Sequence, residues 1–139
     1  MKYDFIIVGS GIIGLTLAYK LKKKFNNSKI LILEKEKDST QHGSGRNSGV
    51  IHSGIYYEPG SLRATLGVQG GRELKEYIKT KRLWIDECGK ILVPTSQNSY
   101  ENTEQLFARG IENGVVIKKL NGGQITSLEP NINNKYNVG

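Results

Sequence analysis

The chain has 139 residues, enough for one small domain, with 37% hydrophobic content that allows a core and a formal net charge of +7. Its single cysteine, Cys88, rules out an intrachain disulfide, and without a CxxC pair or a Cys/His cluster no metal site is expected. The positive charge alone points to nucleic acid or an anionic membrane, but its densest run, Lys20 with Lys22-Lys23-Lys24, has the character of a solvated helix end, and no aromatics interleave it.

The first element in chain order is a strand over Tyr3 to Val8. Phe5-Ile6-Ile7-Val8 is a continuous apolar run, the pattern of a parallel strand covered on both faces. Gly9-Ser10-Gly11-Ile12-Ile13-Gly14 then turns the chain directly into a helix. In such a fingerprint Gly9 permits the tight turn, Gly11 lets a pyrophosphate approach the backbone, and Gly14 lets the helix pack on its strand. The unpaired N–H groups and positive dipole end of that helix favour an anion. Gly14, Leu17, Ala18, Leu21 and Phe25 recur at helical spacing, and Asn26-Asn27-Ser28 closes the helix. Lys29 to Leu33 is a second buried strand. Glu34 stands at its end, twenty residues past Gly14, where an acidic side chain accepts hydrogen bonds from a ribose. A purely structural βαβ start with a solvated Glu34 is the alternative.

From Lys35 to Gly60 the chain is polar and glycine-rich, and loops of that length are usually functional. Asn47 and Ser48, set between Gly45 and Gly49, suit a backbone lying against a flat polar ring or a phosphate. His52 has two readings, a proton-handling group and a packed loop histidine. Tyr56 and Tyr57 are read as packing residues.

Pro59-Gly60-Ser61 supplies a stop and a cap for a helix to about Lys81, with Leu62, Leu66, Leu74, Tyr77 and Ile78 as its apolar face and a bend expected near Gly67, Gly70 and Gly71. Trp84-Ile85 and Lys90-Ile91-Leu92-Val93 read as a hairpin around Asp86-Glu87-Cys88-Gly89, with Cys88 structural. A helix follows from about Tyr100 to Asn113, ended by Gly114, then a short strand Val115-Val116-Ile117. Asn121 caps a last short helix with Gln124 in capping-box position, and Pro130 ends it. The asparagine-rich tail has no clear element.

These residues together resemble a family. Asp4 to Gly14, Leu33-Glu34-Lys35-Glu36 and Asn47-Ser48-Gly49-Val50-Ile51-His52-Ser53-Gly54-Ile55-Tyr56-Tyr57 are similar to the FAD-dependent oxidoreductases of the D-amino-acid oxidase superfamily. Within it the nearest resemblance is to the L-2-hydroxyglutarate oxidases and dehydrogenases, which Pro59-Gly60-Ser61-Leu62, Cys88 to Val93 and Glu129-Pro130-Asn131-Ile132 also resemble. The fingerprint supports only the cofactor class; the Asn47 to Tyr57 stretch carries the subfamily.

The resemblance implies an α/β fold, the start of a Rossmann-like FAD-binding domain, with a cofactor-binding part over 1–60 and the beginning of a substrate or cap region over 61–139. It implies that Gly9, Gly11 and Gly14 hold the FAD pyrophosphate and Glu34 the adenosine ribose, with Ile12, Ile13 and Lys35 also in the cofactor-binding set, and that Ser44, Gly45, Asn47, Ser48, Gly49 and Val50 line the flavin side. His52 is implied near the isoalloxazine as the catalytic candidate, with a covalent flavin link disfavoured. The implied reaction oxidises a 2-hydroxy acid, L-2-hydroxyglutarate to 2-oxoglutarate, by hydride transfer to flavin, with quinone or oxygen as electron acceptor.

Members of this family are considerably longer, so the chain reads as an N-terminal fragment, inactive alone, whose Arg46 and Arg63 stay unassigned. Other readings stay open: a superfamily flavoenzyme acting on an amino acid or glycerol 3-phosphate, and a non-catalytic nucleotide-binding remnant. No nucleic-acid partner is expected. Without a secretory signal or a spanning segment, the expected location is cytoplasmic, with peripheral contact at an inner membrane open for the full-length protein.

Overall fold

A computed structural model describes residues 2–133 and 139 and divides the chain into two compact units, Met1–Val50 and Ile51–Gly139.

The first unit is a βαβ unit: β1 (Phe5–Val8), α1 (Ile12–Lys24) and β2 (Ile30–Leu33). The strands pair in parallel, Phe5 opposite Ile30 through Val8 opposite Leu33, as a two-stranded sheet among the described residues. Asp4 sets that register: its N–H bonds the Lys29 carbonyl at 2.9 Å, while its carboxylate accepts the Lys29 N–H at 2.7 Å. The Gly9 N–H bonds the Leu33 carbonyl at 2.7 Å, so the pairing runs into the glycine turn. Phe5 and Phe25 stack with centroids 5.6 Å apart, tying the end of α1 to the start of β1. Ile7 is buried, but Ile6 is 60% and Val8 84% exposed. The two-sided cover expected of an apolar strand is therefore absent among the described residues, because α1 packs on one face alone.

The second unit carries α2 (Leu62–Thr80), α3 (Gln97–Glu112) and α4 (Gly122–Leu128). Ser61 caps α2 by accepting the Ala64 N–H at 3.2 Å. The helix runs unbroken through its three glycines, and the face that packs is not the leucine face. Leu62 and Leu66 are 77% and 62% exposed, while Ala64 is buried. The packing face is Ala64, Gly67, Val68 and Gly71: a Cβ on Gly67 would lie 3.0 Å from the Tyr57 ring, and one on Gly71 3.4 Å from Ile51. Small residues at i, i+3, i+4 and i+7 form a smooth stripe on which residues 51–57 lie.

α3 starts earlier than its apolar spacing predicts, because Ser96 and Ser99 form a reciprocal capping box. Gly114, at φ +70, ends it as expected. The capping box of Asn121 and Gln124 is present in both directions. The predicted hairpin over Trp84–Val93 and the strand Val115–Ile117 are absent: no strand is formed after Leu33 among the described residues. Extended apolar residues become strands only with a ladder partner, and Trp84, 87% exposed, has no packed face. The core of this unit gathers Ile55, Ala64, Ile125 and Pro94. Of the tail beyond Pro130, read as lacking an element, residues 131–133 form no helix or strand and residues 134–138 lie outside the described residues.

Candidate functional site

The site begins where β1 ends. Gly9 has φ +101, a conformation open to glycine, and this reversal points the chain into α1. A Cβ on Gly14 would stand 2.0 Å from the Gly9 carbonyl oxygen and 3.3 Å from Ile7, so α1 sits against the turn at a distance only glycine permits. Gly11 is the N-cap of α1 and offers no side chain to it. The missing cap comes from far along the chain: Ser44 Oγ accepts the Ile12 N–H at 2.9 Å. A Cβ on Gly11 would press on that same oxygen at 3.0 Å. An oxygen therefore already stands at the helix N-terminus, where orphan N–H groups and the helix dipole favour negative charge.

At the end of β2, Glu34 is half-buried and tied to the glycine turn. Its Oε2 accepts both the Ser10 N–H at 2.7 Å and the Ser10 hydroxyl at 2.8 Å, and its Oε1 accepts the Glu36 N–H at 3.1 Å. These bonds, chiefly the backbone ones from Ser10 and Glu36, lower its pKa to about 2, so the carboxylate is charged throughout the neutral range. Lys35 points its ammonium to Glu36 at 3.7 Å, and the His42 ring meets the same Glu36 oxygen at 2.8 Å.

The loop beyond Ser44 organises itself. Asn47 Nδ2 donates to the carbonyls of Ser44 at 2.8 Å and Gly43 at 3.1 Å, and its Oδ1 accepts the Gly49 N–H at 2.7 Å. Gly45 reaches the His42 carbonyl at 3.0 Å, and a Cβ there would meet the Thr40 oxygen at 2.2 Å. Asn47 is thus spent on loop shape, whereas the Ser48 side chain makes no described hydrogen bond. Ile12, Ile13 and Val50 are exposed, Ile13 by 82%.

The rest of the motif belongs to the second unit. His52 is exposed, and among the described residues its ring makes no hydrogen bond. The turn after it is held from α3: Asn113 Nδ2 donates to the carbonyls of Gly54 at 3.0 Å and Tyr57 at 2.9 Å, and Arg109 donates to that of Tyr56 at 3.3 Å. Tyr57 packs on α2 as expected. Tyr56 does not pack: it is exposed, its ring lies under the Lys90 ammonium at 4.7 Å, and its hydroxyl accepts from that ammonium at 3.0 Å.

The structure thus gathers Gly9, Gly11, Ile12, Gly14, Glu34 and Ser44 around one helix N-terminus. Sequence reasoning missed two groups that hold these segments in shape, one in each unit. Ser10 occupies a variable place in the fingerprint, 24 residues from Glu34, and only the parallel pairing of the strands brings its hydroxyl to that carboxylate. Asn113 lies 59 residues from Gly54, and nothing local marks it. Among the described residues no group of three His, Cys, Asp or Glu side chains is placed to hold a metal ion, and no helix is long and apolar enough to cross a membrane.

Comparison with known proteins matches residues 4–139 to the family described as FAD dependent oxidoreductase. The chain is 47% identical over 133 residues to the mitochondrial L-2-hydroxyglutarate dehydrogenase of Dictyostelium discoideum, covering 94% of this chain and 30% of that protein. It is 42% identical over 130 residues to L-2-hydroxyglutarate dehydrogenase of Escherichia coli K12, covering 94% and 31%. With the human mitochondrial L-2-hydroxyglutarate dehydrogenase the identity is 46% over 113 residues, covering 81% and 24%. The chain therefore spans about 30% of the length of the first of these relatives.

Proposed function

This chain belongs to the FAD dependent oxidoreductase family, and from that premise we propose that it supplies the FAD cradle of an enzyme oxidising a 2-hydroxy acid, L-2-hydroxyglutarate to 2-oxoglutarate. The observation that carries the substrate is the 42–47% identity to proteins of that name across most of the chain, the Asn47 to Tyr57 motif included.

The cradle fits the cofactor on its own geometry. Gly9, Gly11 and Gly14 bring a bare backbone to a helix N-terminus, and an ionised carboxylate stands at the end of the neighbouring strand. In this reading the helix N-terminus at Ile12 and Ile13 faces the pyrophosphate, with the Ser44 hydroxyl, which accepts the Ile12 N–H, beside it. Glu34 accepts the adenosine ribose, and Lys35 lies next to it. Gly45, Asn47, Ser48, Gly49 and Val50 form the flavin side, where Asn47 acts by fixing the loop. His52 is assigned to the proton of the substrate hydroxyl. Residues 1–60 serve the cofactor and 61–139 begin the cap. Bound FAD supplies the electron-accepting chemistry, and the protein supplies position and field.

The test is anaerobic reduction of the flavin in the protein at its encoded length. L-2-hydroxyglutarate is expected to bleach the flavin absorbance, and glycerol 3-phosphate and D-amino acids are not. Bleaching by one of the latter instead would reassign the substrate and leave the FAD reading standing. Reoxidation by oxygen or by a quinone analogue then identifies the acceptor.

A further inference from the structure

We propose that Ser10 is a positioning residue for the cofactor's ribose, holding Glu34 through Oε2 so that Oε1 is the oxygen left to meet the ribose; this rests on the FAD reading above.

A carboxylate offers two lone-pair sites on each oxygen. Both on Oε2 are filled, one by the Ser10 N–H at 2.7 Å and one by the Ser10 hydroxyl at 2.8 Å. Oε1 accepts the longer bond from the Glu36 N–H at 3.1 Å, with the Lys35 N–H also acting on the carboxylate, and neither Ser10 donor reaches it, so it is the oxygen more open to a hydroxyl donor. Ser10 is itself only 4% exposed, so its hydroxyl is shielded from water and from a ligand alike. It therefore acts through Glu34 and not by touching the cofactor. A charged hydrogen bond in such a shielded place is stronger than one in water. Its geometric effect is equally direct: two donors from one residue on one oxygen stop the carboxylate from turning about its terminal bond. The same pair fastens the glycine turn to the end of β2, so the pyrophosphate and ribose ends of the cradle share one fixed reference.

The test uses the protein at its encoded length, stripped of flavin and titrated with FAD while flavin fluorescence is followed. Ser10→Ala is expected to weaken FAD binding about tenfold, the scale of one hydrogen bond to a charged group. In a Glu34→Ala background the same change is expected to cost nothing further, and Ser10→Thr, which keeps the hydroxyl, is expected to restore most of the affinity. Ser10→Gly also removes the hydroxyl and is expected to show the same dependence on Glu34, which keeps the test readable if the alanine variant fails to fold. Equal losses with and without Glu34 would show that Ser10 acts on the turn itself, and would overturn the proposal. Unchanged affinity in Ser10→Ala and Ser10→Gly would overturn it too, while leaving the FAD reading intact. A wild-type protein that takes up no FAD would overturn both.

Discussion

Ser44 Oγ caps α1 by accepting the Ile12 N–H at 2.9 Å across a separation of 32 residues. The helix has no cap from its own glycine turn, so its N-terminus is completed by the loop that follows β2. One hydroxyl thereby couples the shape of the glycine-rich loop to the N-terminus of the helix.

Ser44→Ala should cost about 1 kcal/mol of stability, the usual worth of an N-cap. Urea unfolding measures it. Ser44→Asp, which puts a charged acceptor at the same helix end, should retain that stability but weaken FAD binding by repelling the pyrophosphate. If both variants bind FAD like the wild type, the Ser44 hydroxyl is not beside the phosphates.

Gly14→Ala places a methyl group 2.0 Å from the Gly9 carbonyl oxygen, which is backbone and has no rotamer to yield. The helix must move off the turn, at a cost of about 1–3 kcal/mol or more. Lower thermal stability and loss of retained flavin are expected together. Gly123→Ala, where the nearest atom to the new methyl is at 3.5 Å, is the control and should be tolerated.

Glu34 gives a pH dependence of definite sign. Its folded pKa is lowered from 4.5 to about 2 by donors that exist only in the folded chain. The stability it contributes is therefore complete above about pH 4.5 and is lost as pH falls toward 2. Glu34→Gln removes that slope. Glu87 is lowered as well, by its hydrogen bond and ion pair with Lys79. The informative quantity is the difference in urea midpoint between wild type and Glu34→Gln, which should narrow as the solution is acidified across that window. A constant difference would mean that the Ser10 and Glu36 bonds do not favour the charged form.

Asn113→Leu leaves the carbonyls of Gly54 and Tyr57 without the amide that now serves both. A loss of about 1–3 kcal/mol is expected for such part-buried acceptors. Because the turn follows His52 directly, faster hydrogen exchange should be confined to the residues around 54–57 and the end of α3. A uniform rise in exchange would place the effect in global stability and not in this turn.

Residues 1–139 expressed by themselves should bind a hydrophobic dye, self-associate and fail to retain FAD. Val8 and Ile13 are exposed by 84% and 82%, and Ile6 by 60%. Apolar surface of this kind on a strand pair invites association. Size-exclusion chromatography with absorbance near the flavin bands reads both outcomes, and a yellow, cooperatively melting monomer would contradict them.

The sequence alone determined the local features, because each is written in residues a few positions apart. The βαβ start, its glycine turn, the caps at Ser61 and Asn121, and the stop at Gly114 follow from backbone chemistry that neighbours dictate. The motif resemblance likewise pointed to the family that residues 4–139 match. Tertiary structure decided what depends on partners distant in the chain. It withheld a ladder from Trp84–Val93 and turned the small face of α2, not its leucines, toward the loop. It brought Ser44 to Ile12, Ser10 to Glu34 and Asn113 to Gly54. A propensity describes how one stretch of backbone prefers to fold, whereas a ladder, a buried face or a long-range hydrogen bond exists only once the second group arrives.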